Sequence, residues 1–141
     1  MRLSAGFDGF GLYANLTLTD SESVLGGSRQ GESVPFLNQS KRLANFALSY
    51  EKYGFFVRAS LTHRSRYLAL IGASTSADQY VEDHSQVDIS TNYKISPRLT
   101  IYAEFLNVTN EPYSAVYNVT GGLRKAEFYS WSANAGIKLN F

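Results

Sequence analysis

The C-terminal stretch FYSWSANAGIKLNF alternates apolar and polar residues along its whole length. Apolar side chains fall at every second position: Tyr129, Trp131, Ala133, Ala135, Ile137, Leu139 and Phe141. Serine, asparagine, glycine and lysine fill the positions between them. Because successive side chains of a β-strand point to opposite faces, this pattern predicts a strand with one apolar and one polar face.

The same alternation recurs in five earlier segments, over residues 10–19, 43–51, 55–66, 84–95 and 99–106. Short turns are expected at Lys52-Tyr53-Gly54 and Ser96-Pro97, whereas the connections over 21–39, 69–83 and 110–125 are long and rich in Gly, Ser and Asn. The sequence therefore predicts an all-β fold, an antiparallel meander of about six long strands in three hairpins. All long loops then lie at one end of the sheet, as in outer-membrane barrels.

Composition narrows the possible functions. The 141 residues suit one domain, and a net charge of +1 with both signs scattered offers no basic surface for nucleic acid. There is no cysteine, which excludes disulfides and thiolate metal sites. The longest nearly apolar run, Tyr67–Ala73, is far shorter than the roughly 20 residues of a membrane-spanning helix. The first residues, MRLSAGFDGF, lack a secretory signal, so an exported protein is expected to have lost its leader.

Two environments are possible for the apolar face. A small soluble β-barrel would turn it inward to bind an apolar ligand, with Val87, Ile137 and Leu139 in the interior. A membrane barrel would turn it outward to lipid. From Trp131 to Phe141 a strand tilted by ~45° rises about 23 Å, close to the apolar band of roughly 25 Å in membrane barrels. The dimensions favour the membrane barrel.

The polar and aromatic residues then have expected places. Girdle positions at the membrane interfaces are predicted for Phe55, Tyr93, Tyr129 and Trp131. Charges expected in the lumen are Arg58, Asp88 and Glu104, which would form cross-strand ion pairs where the register permits. Candidate ligand-binding residues are Arg64, Arg66 and Tyr67 for an anionic ligand, and Tyr13 and Tyr102, with Tyr80, for stacking on sugars.

No residue set suggests catalysis. His63 and His84 flank a long loop, and their spacing places neither beside both a serine and an acid. No close pair of histidines, or of a histidine and a glutamate, suggests a metal site. The sequence thus predicts a protein that is not an enzyme and has no cofactor and no metal.

The segment RLTIYAEFLNVTNEPY (Arg98–Tyr113), followed by the terminal strand, resembles the C-terminal end of TonB-dependent outer-membrane receptors. Three upstream stretches resemble the preceding hairpins: GFGLYANLTLTDSES, FLNQSKRLANFALSYEKYGFFVRASLTHRSRYL and QVDISTNYKISPRLTIYAEF. The element Asn107-Val108-Thr109-Asn110 is similar to an Asn-Leu-Thr-Asn element of that family. The terminal Phe141 resembles the signal that the barrel assembly machinery recognises.

The resemblance implies a location in the bacterial outer membrane and TonB-dependent uptake of a scarce solute, either a siderophore or other iron chelate, a vitamin or an oligosaccharide. It implies membrane lipid, the barrel assembly machinery and the rest of the receptor as partners. Family members have about 22 strands and an N-terminal plug. Residues 1–141 are therefore expected to be the last hairpins of such a barrel, with the plug and the TonB contact absent, so that TonB would act only through the missing parts.

Overall fold

The computed structural model describes residues 8–118 and 122–141. In chain order its strands are β1 (Phe10–Leu18), β2 (Ser23–Val24), β3 (Ser33–Val34), β4 (Arg42–Lys52), β5 (Phe55–Arg64), β6 (Tyr67–Leu70), β7 (Gln79–Val81), β8 (His84–Ser96), β9 (Leu99–Leu106), β10 (Tyr113–Tyr117), β11 (Leu123–Glu127) and β12 (Ser132–Leu139). Single turns of 3-10 helix occupy Gly27–Arg29 and Thr75–Ala77. No helix in these ranges is long and apolar enough to cross a membrane.

Six long strands form one antiparallel sheet in the order β1-β4-β5-β8-β9-β12. Each long strand lies beside the one before it in the chain, which confirms the predicted all-β meander of three hairpins. The strands have 8 to 13 residues, whereas strands of globular proteins usually have about 5–6.

The two short turns follow from their sequences. Between β4 and β5, Tyr53 and Gly54 both have positive φ angles of 53° and 80°, the backbone of a tight hairpin whose twist matches its strands. Between β8 and β9, the Ser96 side chain accepts hydrogen bonds from the backbone N–H groups of Arg98 and Leu99. Pro97 suits this turn because its ring fixes φ.

The register separates the two faces of the long sheet. One row across all six strands is apolar: Leu12, Leu48, Ala59, Ile89, Phe105 and Ala133. The adjacent row, on the opposite face, is polar: Gly11, Ser49, Arg58, Ser90, Glu104 and Asn134. The apolar face is open to the surroundings, since 63% of Leu16 and 68% of Ile137 is exposed.

The buried core lies mainly in the long connections. Strands β11, β10, β7 and β6 form a second, four-stranded sheet, and β2 pairs with β3. The second sheet contributes the buried side chains Leu68, Val81 and Ala115, and β3 contributes Val34. The sequence did not predict strands in these loops, because segments of two to five residues are too short for an alternation to be recognised.

Two predicted boundaries were wrong. The last strand begins at Ser132 and not at Tyr129, because Ser130 has a φ of +56°, which extended strand backbone does not adopt. The third long strand ends at Arg64, so Arg66 lies outside it. There the Ser65 side chain accepts a hydrogen bond from the Arg42 N–H, and the Ser65 N–H donates to the Arg42 carbonyl, after which the chain turns into β6.

Candidate functional site

A buried ion pair fastens two of the three long loops to each other at one end of the long sheet. Arg29, from the β1–β4 loop, donates to both carboxylate oxygens of Asp78, from the β5–β8 loop, at 2.6 and 3.0 Å. The Asp78 side chain is 2% exposed and that of Arg29 6%. The same guanidinium donates to Glu32 at 2.7 Å and to the carbonyl of Gly72 at 3.1 Å. Two loops of distant sequence are thereby locked to each other.

The third loop joins this cluster through Asn118. Its backbone N–H donates to the carbonyl of Asp78 at 3.0 Å, and its side-chain amide donates to the carbonyl of Thr75 at 3.2 Å. The Gly72 N–H donates to the Asp78 carboxylate at 2.8 Å. Asp78 therefore contacts residues of all three loops, Arg29 and Gly72 through its carboxylate and Asn118 through its backbone carbonyl. We call Arg29, Glu32, Gly72, Asp78 and Asn118 the loop lock.

Charge pairing keeps the loop lock ionised. Burial is the largest influence on Asp78 and favours its neutral form, but the hydrogen bonds from Arg29 and Gly72 together hold the pKa of Asp78 below its usual 3.8. The hydrogen bond from Arg29 likewise lowers the pKa of Glu32. Asp78, followed by Glu32, raises the pKa of the Arg29 guanidinium. Both carboxylates are therefore charged at neutral pH.

Three of the predicted ligand-binding residues lie together beside the loops. The Arg64 guanidinium lies over the ring of Tyr67 at 4.7 Å, and that of Arg66 over the ring of Tyr80 at 4.3 Å. Arg66 also forms an ion pair with Glu82 at 3.6 Å. These cation–π pairs present planar groups of the kind that bind sugars or anions.

The other two predicted ligand-binding residues lie apart from this cluster and from each other. Tyr13 is on β1, where the Arg58 guanidinium lies 5.9 Å from its ring centre. Tyr102 is on β9, opposite Gly136, and its ring fills the space that a side chain at position 136 would occupy. Strands β4, β5 and β8 separate the two tyrosines, so no single small ligand contacts both.

The predicted lumen charges share the polar face but do not pair with one another. Arg58 and Glu104 lie in one row, separated by Ser90. In the described parts of the chain, no ion pair within 4 Å involves Arg58, Asp88 or Glu104. Asp88 instead accepts hydrogen bonds from the Gln86 side chain at 2.8 Å and from the Asn107 N–H at 2.9 Å.

Asn107 organises the NVTN element that follows β9. Its φ is +53°, in the left-handed region that asparagine tolerates better than most residues. Its side-chain oxygen accepts from the Glu111 N–H at 2.8 Å, and its amide donates to the carbonyls of Glu111 and Ser130. Asn107 is 8% exposed and thereby ties the third loop to the chain before β12.

The four predicted girdle residues lie at opposite ends of the long sheet. Phe55 and Tyr93 are register partners at the end with the short turns. Tyr129 and Trp131 precede β12 at the loop end and are 67% and 60% exposed. Phe141 follows β12 at the turn end, where the Asn140 N–H donates to the Arg98 carbonyl.

Sequence reasoning missed the loop lock and two polar side chains on the apolar face. On β4, Arg42 lies on the same face as Ala44 and Phe46. On β5, His63 lies on the same face as Ala59 and Leu61. The alternation alone could have revealed them, since His63 falls in step with the apolar residues of its strand. The partners of Arg29 left no comparable signal, because Asp78 is 49 positions away.

Comparisons of the chain with protein-family models, with curated protein sequences and with solved structures find no match. Within the described ranges, no group of three or more histidine, aspartate or glutamate side chains could hold a metal ion. The fold thus defines an antiparallel all-β protein with one exposed apolar face, and the resemblance to TonB-dependent receptors stays a prediction.

Proposed function

We propose that this chain is a segment of an outer-membrane β-barrel of the TonB-dependent receptor type, which takes up a scarce solute across the bacterial outer membrane. The observation that carries the proposal is the continuous apolar face of the six long strands, which no other described part of the chain covers. An exposed apolar surface of this extent is unfavourable in water and favourable in lipid.

Strand dimensions support the same environment. β4 has 11 residues and is therefore ~35 Å long, and a tilt of ~45° reduces its height to about 25 Å. Aromatic residues lie at both ends of the sheet, and the polar face carries Arg58 and Glu104, which form no ion pair within the described residues. This arrangement suits strands with one face in lipid and the other in a watery lumen.

A closed soluble barrel is less well supported. Among the described residues, β1 pairs only with β4 and β12 only with β9, so the sheet has two open edges. Ile137 and Leu139, which a soluble barrel would turn inward, are 68% and 59% exposed. We therefore favour outward-facing apolar residues and a sheet that continues at both edges.

The solute would bind at the loop end of the polar face. The loop lock holds the loops over this end, and Arg64, Arg66, Tyr67 and Tyr80 contribute guanidinium groups and aromatic rings there. These groups suit an iron chelate with anionic groups and an oligosaccharide equally. TonB, the plug and the assembly machinery enter the proposal through the resemblance alone.

Cysteine labelling tests the membrane assignment directly, because the chain has no native cysteine. Ala59→Cys and Ser60→Cys are neighbouring small residues on opposite faces of the central strand β5. In the outer-membrane fraction of the source organism, with either substitution introduced into its own coding region, a water-soluble maleimide should label position 60 and leave position 59 unlabelled. Equal labelling of both positions, or recovery of the chain in the soluble fraction, would contradict the proposal.

Transport needs a separate test. Disruption of the coding region in the source organism should slow growth when iron chelates, a vitamin or oligosaccharides are the limiting nutrient, and the nutrient that gives the defect identifies the solute class. Normal growth and uptake on all three would contradict the transport proposal.

A further inference from the structure

Arg42 and His63 interrupt the apolar face at its loop end, and Ser85 lies beside His63 on the same face. Arg42 lies on the same face of β4 as Ala44 and is exposed. Its guanidinium makes no hydrogen bond, ion pair or ring contact to any residue in the described ranges. His63, the register partner of Ala44, is half-buried, and its Nδ1 lies 2.8 Å from the Ser85 hydroxyl. Where this face lies in lipid, a cation without a partner in the described ranges calls for an anion from outside the chain.

The two side chains are close enough to bind one anion. His63 lies directly opposite Ala44, and Arg42 is two residues from Ala44 on the same face. Diagonal neighbours of this kind are about 7–8 Å apart at the backbone, within reach of a long guanidinium side chain. Arginine also matches the geometry of phosphate oxygens with paired N–H donors.

An apolar depression begins beside this pair. It has a volume of about 440 Å³, and its lining includes Ala14, Leu16, Ala44, Phe46, Leu61 and His63. The register places Ala14 opposite Phe46, and Ala44 between Leu16 and His63. The depression is open to the surroundings, which suits a flexible hydrocarbon chain better than a compact ligand.

We propose that Arg42 and His63 bind the phosphate of an anionic membrane lipid whose acyl chain lies in the depression over Ala44. The inference rests on the proposed function, because it takes the apolar face as the one in contact with lipid. Lipid phosphates lie at the boundary of the apolar band of a membrane protein, where cationic side chains bind them. Both the position and the charge of the Arg42 site therefore favour a lipid phosphate as its ligand.

Native mass spectrometry of the full chain in detergent tests the site, with phosphatidylglycerol or phosphatidylcholine as added lipid. The wild-type chain should retain one phosphatidylglycerol at lower lipid concentration than phosphatidylcholine. Arg42→Gln should weaken retention of phosphatidylglycerol about tenfold, because a charge-assisted hydrogen bond to phosphate is lost, and His63→Gln should weaken it in the same direction. Retention of phosphatidylcholine should weaken less, because its choline cation offsets the charge of the same phosphate group.

Arg58→Gln is the matched control, since Arg58 is an exposed arginine of the same sheet on the opposite face. It should leave the retention of both lipids unchanged, and far-UV circular dichroism should show equal strand content in all variants. Equal retention of the two lipids by the wild-type chain would overturn the inference, as would an Arg58→Gln effect as large as that of Arg42→Gln. Full displacement of phosphatidylglycerol by an equal concentration of inorganic phosphate would also overturn it, because the acyl chain would then contribute nothing.

The two proposals can fail separately. If the chain is soluble only in detergent and shows the labelling difference between positions 59 and 60, but does not prefer phosphatidylglycerol, the lipid site alone is refuted. A chain that stays monomeric in water without detergent refutes the membrane assignment, and the lipid site is refuted with it.

Discussion

Asp78→Asn is the most informative substitution in the loop lock. The change keeps the shape of the side chain and removes its charge, and it leaves a neutral acceptor opposite Arg29 at a position that is 1% exposed. Loss of one partner of a buried ion pair costs roughly 3–5 kcal/mol. Because Glu32 remains hydrogen-bonded to the same guanidinium and compensates part of its charge, we expect the lower end, about 3 kcal/mol.

This free energy should appear as local opening of the loops. About 3 kcal/mol corresponds to roughly a 100-fold loss of protection against hydrogen exchange, since each tenfold change is about 1.4 kcal/mol. The loss should occur at the backbone amides of β6, β7 and β10, three of the four strands of the second sheet, because Asp78 directly precedes β7. Amides of β5 and β8 in the long sheet should keep their protection.

Asp20→Asn provides the control for Asp78→Asn. Asp20 forms an ion pair with Lys41 at 3.4 Å, but its side chain is 91% exposed, so water already screens the pair. Hydrogen exchange in this variant should change less than about fivefold. The reasoning is refuted if Asp78→Asn leaves the protection of β6, β7 and β10 unchanged, or if the loss extends equally to β5 and β8.

Two further predictions concern acid and the wall of the sheet. Because the pKa values of Asp78 and Glu32 lie below their usual 3.8 and 4.5, their contribution to loop stability is complete above these values and is lost as the pH falls through the lowered ones. A fluorophore attached to the loops of the wild-type chain should therefore gain mobility as the pH falls below about 4. The gain should be smaller in Asp78→Asn, and unchanged mobility of the wild-type chain down to about pH 2 would exclude this linkage. Gly136→Val should lower the free energy of unfolding by about 1–3 kcal/mol, because the new side chain collides with Tyr102, whereas Ala135→Val on the open face should cost less. Denaturant titration of both variants measures the difference, and equal midpoints would show that Tyr102 moves freely.

The long sheet could be predicted because its signal is local. Alternation over ten residues fixes both the strand and its faces, and the pair Tyr53-Gly54 marks a hairpin turn within four residues. Ser130 shows the limit of this signal, since one residue with positive φ delays the start of β12 to Ser132 without disturbing the apolar pattern.

The candidate site was harder to predict because it depends on loop packing. The cation–π pair of Arg64 and Tyr67 joins residues three apart, so sequence reasoning placed them together. The pair of Arg29 and Asp78 requires two loops to fold against each other first. Glycine-rich and serine-rich loops carry no periodicity from which such a contact could be derived.

The open edges give the membrane proposal its strictest structural requirement. Backbone N–H and C=O groups without partners cost several kcal/mol each in lipid, and single-chain membrane barrels have at least about eight strands. The sheet here has six long strands, and consecutive strands run in opposite directions, so β1 and β12 also run in opposite directions. A fully antiparallel closure therefore needs an even number of additional strands between these edges. A receptor barrel of about 22 strands would supply about sixteen of them, which meets this condition.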